Sequence, residues 1–161
     1  MRRIMGVDPG LSTTGYGIIE TVEDSTTVVT WGAIKPPVKE AIHVRLSVLY
    51  DGVLDVIDRY APTEFAIEEA FYRNNAKTAL ILGQARGVAM LAAAHSKLPC
   101  AEYSPRKIKL SVVGNGNASK EQVQYMIGSI LKMEKTPDRL DVTDAFATAL
   151  CHLHQMETVS A

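Results

Sequence analysis

Apolar residues along this chain change period several times, and each change marks an element. Ile4, Met5 and Val7 form a short apolar run that stops at Asp8-Pro9-Gly10, a turn signature. Residues 14–19, with small residues at Gly15 and Gly17, predict a second strand returning antiparallel to the first. The β-branched run 26–34, entered through the acidic link 23–25, predicts a third. Beyond Pro36-Pro37, Ile42, Leu46, Leu49, Val53, Ile57 and Tyr60 recur at helical spacing, so an amphipathic helix should close near Pro62. Its polar face, with Arg45, Asp51, Asp55 and Asp58, reads as solvated surface. Residues 64–70 are apolar at Phe65, Ala66 and Ile67, which predicts a buried strand emerging at Glu68-Glu69.

The second half of the chain is mostly helical. Alanine-rich residues 76–96 predict a long helix, in which Gly83 and Gly87, one turn apart, allow close approach to a sheet or another helix. Residues 99–103 supply a fifth strand. Ser104-Pro105 opens a brief basic helix carrying Arg106, Lys107 and Lys109, and residues 114–117 form a mobile turn. Ser119 to Gln122 match a capping box, followed by the buried stripe Val123, Met126, Ile127, Ile130 and Leu131, with Lys120 pointing outward. Residues 132–139 are a loop broken by Pro137. The last helix runs over about 140–154 and buries Val142, Ala145, Phe146, Ala149 and Leu153, leaving His152 and His154 in a frayed tail with no assigned role.

At 161 residues, 47% apolar and 22% charged, the chain suits one compact domain spanning residues 1–161. No apolar run approaches the ~20 residues of a membrane span. Met1-Arg2-Arg3 passes into strand residues without a signal peptide's apolar core, so the expectation is an intracellular protein with no membrane partner. Cys100 and Cys151 are isolated, in apolar surroundings, and read as reduced core residues. Net charge is -1, unevenly divided: residues 70–120 hold eight Lys/Arg and one Asp/Glu, between acidic flanks. That middle third has two readings, a phosphate-binding face beside a metal pocket or helix faces whose charges cancel across the fold.

Four acids are placed to do chemistry. Asp8 and Glu68 stand where strands stop, and a charge at the edge of a core needs a cation or several donors. For Asp8 the structural alternative is an Asp that opens the turn with its own side chain. Asp141 and Asp144 are three apart in the first turn of the last helix, where they either repel each other or complement the helix dipole. A hard cation such as magnesium or manganese explains all four together, and two such ions can drive in-line phosphodiester hydrolysis. Phe71 and Tyr72, running into Arg73, suit base stacking or serve as lids on the core.

An Asp on the first strand of a three-stranded antiparallel meander, a Glu ending the next of two parallel strands, and a helical acid pair late in the chain make the ribonuclease H-like layout, a mixed five-stranded α/β sheet flanked by helices. GVDPGLSTTGYG, AIEEAF, ALILGQARGVAMLAAA, VVGNGNASKEQV and DVTDAFATALCH, in this order, resemble the RuvC family of Holliday junction resolvases over residues 4 to about 154. The resemblance implies that Asp8, Glu68, Asp141 and Asp144 are catalytic metal ligands for two Mg2+ ions, with Mn2+ as a possible substitute. It implies Phe71 as a base-stacking wedge with Tyr72 beside it, and Lys109 and Lys120 near the scissile strand. Arg73, Arg106 and Lys107 join these as DNA-binding residues of the basic middle third. Glu69 departs from the family, which often has an uncharged amide there. The implied activity is paired symmetric nicking of four-way DNA junctions, giving 5′-phosphate and 3′-hydroxyl ends, by a cytoplasmic homodimer paired through residues 76–96, with branch-migration proteins as further partners. Two rivals remain: a non-catalytic DNA-structure binder, and an actin or sugar-kinase-like phosphotransferase, since Asp8 to Ser12 also fits a D-x-G-x-S phosphate loop.

Overall fold

The structure is a computed structural model describing residues 1–69 and 75–160. Its elements, in chain order, are β1 (Arg2–Asp8), β2 (Thr14–Val22), β3 (Ser25–Ile34), α1 (Ile42–Tyr60), β4 (Glu64–Glu68), α2 (Ala76–His95), β5 (Cys100–Tyr103), α3 (Pro105–Val113), α4 (Lys120–Ile130) and α5 (Leu140–Ser160). The strands form one sheet in the order β3-β2-β1-β4-β5. β1, β2 and β3 pair antiparallel, and β4 and β5 join β1 in parallel.

Alternation along the strands divides the core into two layers. Met5, Val7, Ile18, Phe65 and Ile67 point to one face, where Leu49, Val53, Val56 and Ile57 of α1 and Ala85, Ala89, Ala92 and Ala93 of α2 cover them. Ile4, Ile19 and Ala66 point to the other, against α3, α4 and the nearly wholly buried middle of α5. Asp8 and Glu68 continue the second series, two residues beyond Gly6 and Ala66, so both carboxylates fall on the α5 face. β1 and β4 are in register, Val7 opposite Ile67, which sets Asp8 beside Glu68 at the same end of the sheet.

Helix α5 lies unusually close to this face because two strand positions lack a side chain. A Cβ on Gly6 would collide with the Ala145 carbonyl and come within 2.9 Å of the Ala149 Cβ; one on Gly15 would collide with the Asp141 carbonyl. The helix start is thereby seated over the ends of β1 and β2. Helix α4 opens on the capping box, with the Ser119 hydroxyl accepting from the Gln122 N–H and Gln122 Oε1 accepting from the Ser119 N–H.

Four expectations need correction. Helix α5 continues to Ser160, and its histidines are not frayed: His152 is 6% exposed, its Nε2 2.7 Å from Glu64 Oε2 and its Nδ1 2.7 Å from the Tyr103 hydroxyl. His154 Nδ1 lies 3.1 Å from the Ser111 hydroxyl. Three partners from separate elements hold this tail down, and none is visible as local periodicity. Cys151 is buried, but Cys100 is exposed at the start of the edge strand β5. The 114–117 turn is pinned rather than loose: Gly114 closes α3 at φ 82°, and Arg106 donates to Asn117 Oδ1 at 3.2 Å. Among the described residues, Gly83 and Gly87 meet neither sheet nor helix, since a Cβ on either would touch none of their atoms within 4 Å.

Replacing Gly6 with Ala should force α5 outward and destabilise the protein by about 1–3 kcal/mol, the usual cost of overpacking. Urea denaturation monitored by circular dichroism will measure it, and an unchanged midpoint would show that α5 is not held at that distance by β1.

Candidate active site

The β1–β2 turn is not held by Asp8. Buried Thr14 does that work, its hydroxyl accepting from the Gly10 N–H at 3.1 Å and donating to the Gly10 carbonyl at 2.7 Å. The Asp8 carboxylate is left to face a cavity of about 420 Å³ lined by Asp8, Glu68, Pro105, Ile108, Lys109, Lys120, Val123, Asp144 and Ala147. Two parallel strand ends, one helix interior and two helix starts meet around it. A larger open groove of about 580 Å³ runs beside Trp31 and residues 131–138, and its lining includes none of these acids.

The electrostatics are those of acids held against their preference. Burial, then Asp144, Glu68 and Asp141, push the Asp8 carboxyl up to about 8, opposed by Lys120. Burial and Asp144 push Glu68 up to about 7, opposed by Lys109 and Lys120. Asp144 is raised too, by burial first, with Lys120 and Lys109 opposing. Among the described residues no hydrogen bond ends on the carboxylate oxygens of these three residues. Three acids that burial and mutual repulsion drive toward protonation, with oxygen-only donors open to a cavity, fit a hard divalent cation, which would relieve both costs. Among the described residues no three such groups already converge as a ligand shell.

Asp141 is differently placed. Arg139 grips it with two hydrogen bonds, Nε to Oδ1 at 3.1 Å and Nη2 to Oδ2 at 2.9 Å, and the Val142 N–H also donates to Oδ1. It lies one helical turn before Asp144, outside the cavity lining, close enough to Asp8 to raise its carboxyl. Arg139 escaped the sequence reading because residues 132–139 carry no periodicity, although a cation two positions before an acid was a usable signal. Glu69 is absent from the lining; its N–H extends the β4–β5 ladder to the Tyr103 carbonyl at 2.8 Å.

The cations divide into two sets. Lys109 of α3 and Lys120 at the start of α4 line the cavity. Lys120 therefore turns toward the acids, against the expectation that it points outward. A lysine in a first helical turn opposes the helix dipole, and the neighbouring carboxylates offset that cost. Arg106 and Lys107 stand on the exposed flank of α3, Lys107 Nζ 5.6 Å from the centre of the Tyr103 ring. Phe71, Tyr72 and Arg73 lie outside the described residues.

Comparison with known proteins identifies the family and the fold. The family profile described as crossover junction endodeoxyribonuclease RuvC matches residues 4–152. The chain belongs to this family. Curated RuvC proteins of Dehalococcoides mccartyi and Desulforamulus reducens are 47% and 42% identical to it, over 95% and 96% of this chain and 92% and 95% of theirs. A structure titled Thermus thermophilus RuvC in complex with Holliday junction substrate superposes with a TM-score of 0.93 at 28% identity, covering 100% of this chain and 98% of that one. The fold is that of RuvC, the ribonuclease H-like mixed sheet with its five helices. No helix of the described residues is long and apolar enough to cross a membrane.

Between the ordinary carboxylate range and about pH 8, the folded chain binds protons at Asp8 and Glu68 that the unfolded chain releases. Stability should therefore fall as pH rises through that window in chelator. Asp8→Asn should flatten the fall and melt higher than the parent at pH 8. Calorimetric melting from pH 5 to pH 9 in EDTA decides it, and an equal slope in parent and variant would remove the electrostatic account of the site.

Proposed function

We propose that this protein is an endodeoxyribonuclease that resolves four-way DNA junctions, with residues 1–161 forming a single nuclease domain. The carrying observation is the cavity in which Asp8, Glu68 and Asp144 meet Lys109 and Lys120. Membership of the RuvC family and the likeness to a RuvC bound to Holliday junction DNA support the junction as substrate. An ordinary binding surface has no use for three carboxylates facing a phosphodiester, so the acid cavity favours catalysis over a purely binding role.

Asp8, Glu68 and Asp144 are the residues that would hold divalent ions, Mg2+ or Mn2+ and two in number, with Asp141 at the margin. When bound, such ions supply positive charge beside the phosphodiester and acidify a water molecule. Lys109 and Lys120 bear on the same space, stabilising negative charge that builds on the phosphate oxygens and fixing the strand against the acids. Arg106 and Lys107 extend the cationic track along α3. Phe71 is the base-stacking wedge, with Tyr72 and Arg73 beside it. The ends expected are a 5′-phosphate and a 3′-hydroxyl.

Paired symmetric cuts require two sites. Helix α2 supports a homodimer because its outer face leaves Leu80 70% and Leu91 48% exposed, with the open Gly83 and Gly87 between them. Large apolar side chains flanking a flat glycine surface suit a second helix packed at short range. A cytoplasmic site of action and association with branch-migration proteins accord with recombination and repair as the setting.

Labelled four-way junction incubated with magnesium should be nicked in opposed strands, while linear duplex and chelated reactions stay intact. Asp8→Asn and Asp144→Asn should each lower single-turnover cleavage by about a thousandfold, the several kcal/mol that charge neutralisation contributes, with junction binding retained. Normal cutting by either variant would sink the metal assignment. Phe71→Ala should slow junction cleavage, and an unchanged rate would return that residue to the structure alone. Gly87→Glu should give monomers in analytical ultracentrifugation and single, unpaired nicks; a stable dimer would place the interface elsewhere.

A further inference from the structure

Helix α2 carries a cation that neither the cavity nor the proposed dimer face uses. Arg86 lies beside the buried row Ala85, Ala89 and Ala93, with its side chain 18% exposed. Its Nε donates to the main-chain carbonyl of Glu68 at 3.1 Å, and its Nη2 forms an ion pair with Glu102 Oε1. These partners sit on neighbouring parallel strands, where Ile67 is opposite Glu102 and Glu68 opposite Tyr103. One guanidinium thus spans β4 and β5 at the point where β4 ends.

The direction of approach matters. Phe65 and Ile67 face α2, so the Glu68 side chain turns to the opposite, α5 face. Arg86 therefore grips the main chain of Glu68 from behind, while the carboxylate projects into the cavity. Among the described residues, one bond follows Glu68 in the β4–β5 ladder, from the Glu69 N–H to the Tyr103 carbonyl. Strand ends fray unless something fixes them, and a frayed end moves its carboxylate. Arginine suits the task because its planar fork points donors at a carbonyl and a carboxylate together. Lysine, a single point of charge on a flexible stem, holds only one of them in a fixed direction.

We propose that Arg86 is a positioning residue for Glu68: it fixes the end of β4 from the α2 side so that the Glu68 carboxylate is held where a divalent ion takes it. This rests on the reading of Glu68 as an ion ligand given above. Arg86 bonds to the main chain of Glu68 and not to its carboxylate, and the ion pair with Glu102 aims its guanidinium.

The test compares the full-length parent with Arg86→Lys, Arg86→Gln and Glu102→Gln. Manganese affinity without DNA is read by calorimetry, the ion dependence of single-turnover junction cleavage by gel, and the Glu69 amide by hydrogen exchange. Both Arg86 variants should bind Mn2+ about tenfold more weakly, the usual effect of removing a group that orients a ligand. Their cleavage midpoints should move to higher ion concentration, with most of the rate recovered at saturation and junction binding in EDTA unchanged. The Glu69 amide should exchange faster. Glu102→Gln, which leaves the bond to Glu68 in place, should shift in the same direction by less. Folded Arg86 variants with parental Mn2+ affinity and midpoint overturn the proposal, as does a fall in melting temperature alone. Should the Arg86 variants fail to fold, parental ion affinity in Glu102→Gln overturns it instead. A parent protein that neither binds Mn2+ nor cuts junctions defeats the reading of the site, and Glu69 exchange then reports separately whether Arg86 holds the strand end.

Discussion

Three carboxylates share a half-buried cavity, and the fold must hold them there against their mutual repulsion. The force that does so is apolar burial at a distance from the charges. Val142, Phe146, Ala149 and Leu150 of α5 are buried against the sheet and the two neighbouring helices, and each of the three larger side chains contributes about 1.5–3 kcal/mol when removed from water. Gly6 and Gly15 let that helix come down far enough for its first two turns to reach the strand ends. The acids do not assemble the site; they are carried into it by the packing of residues one turn further along the helix. Such a site is electrostatically strained at neutral pH, which is the condition in which a bound cation contributes most.

Much of this was readable along the chain because the relevant signals are local. An apolar run halted by Asp-Pro-Gly put Asp8 at a strand end, and the short apolar run Phe65-Ala66-Ile67 emerging at Glu68-Glu69 did the same for Glu68. The spacing of Asp141 and Asp144 placed both on one helix start. What periodicity cannot show is which way a polar side chain turns when tertiary neighbours decide. Lys120 read as outward by its helical position, yet three carboxylates from β1, β4 and α5 face it. Asp141 read as the equal of Asp144, but Arg139 occupies it. Cys100 looked internal because its sequence neighbours are apolar, while its place at the start of an edge strand exposes it. The charge division had two readings at the sequence level, and each holds for part of the segment: Lys109 and Lys120 line the acid cavity, with Arg106 and Lys107 on the same helix as Lys109, whereas Arg86 is paired with Glu102 on the opposite face of the sheet.

Strand β4 contains its own control for the functional reading of Glu68. Glu64 and Glu68 are the same residue type, on the same five-residue strand, facing the same helix, four positions apart. At Glu64 the fold supplies every partner: Arg2 donates through Nε at 2.8 Å and Nη2 at 2.7 Å, and His152 closes on Oε2 at 2.7 Å. The hydrogen bond from Arg2 is the chief reason that carboxyl lies below its ordinary range. At Glu68 the fold supplies burial and a second acid, with lysines near but none bonded, and the carboxyl is pushed up to about 7. A structural carboxylate on this strand and face can therefore be satisfied by the chain, and one of them is. That the chain fully partners Glu64 while leaving Glu68 facing a cavity with Asp8 and Asp144 is difficult to attribute to the strand, the helix or the sequence composition. It is what a site needs when its remaining partner arrives from solution.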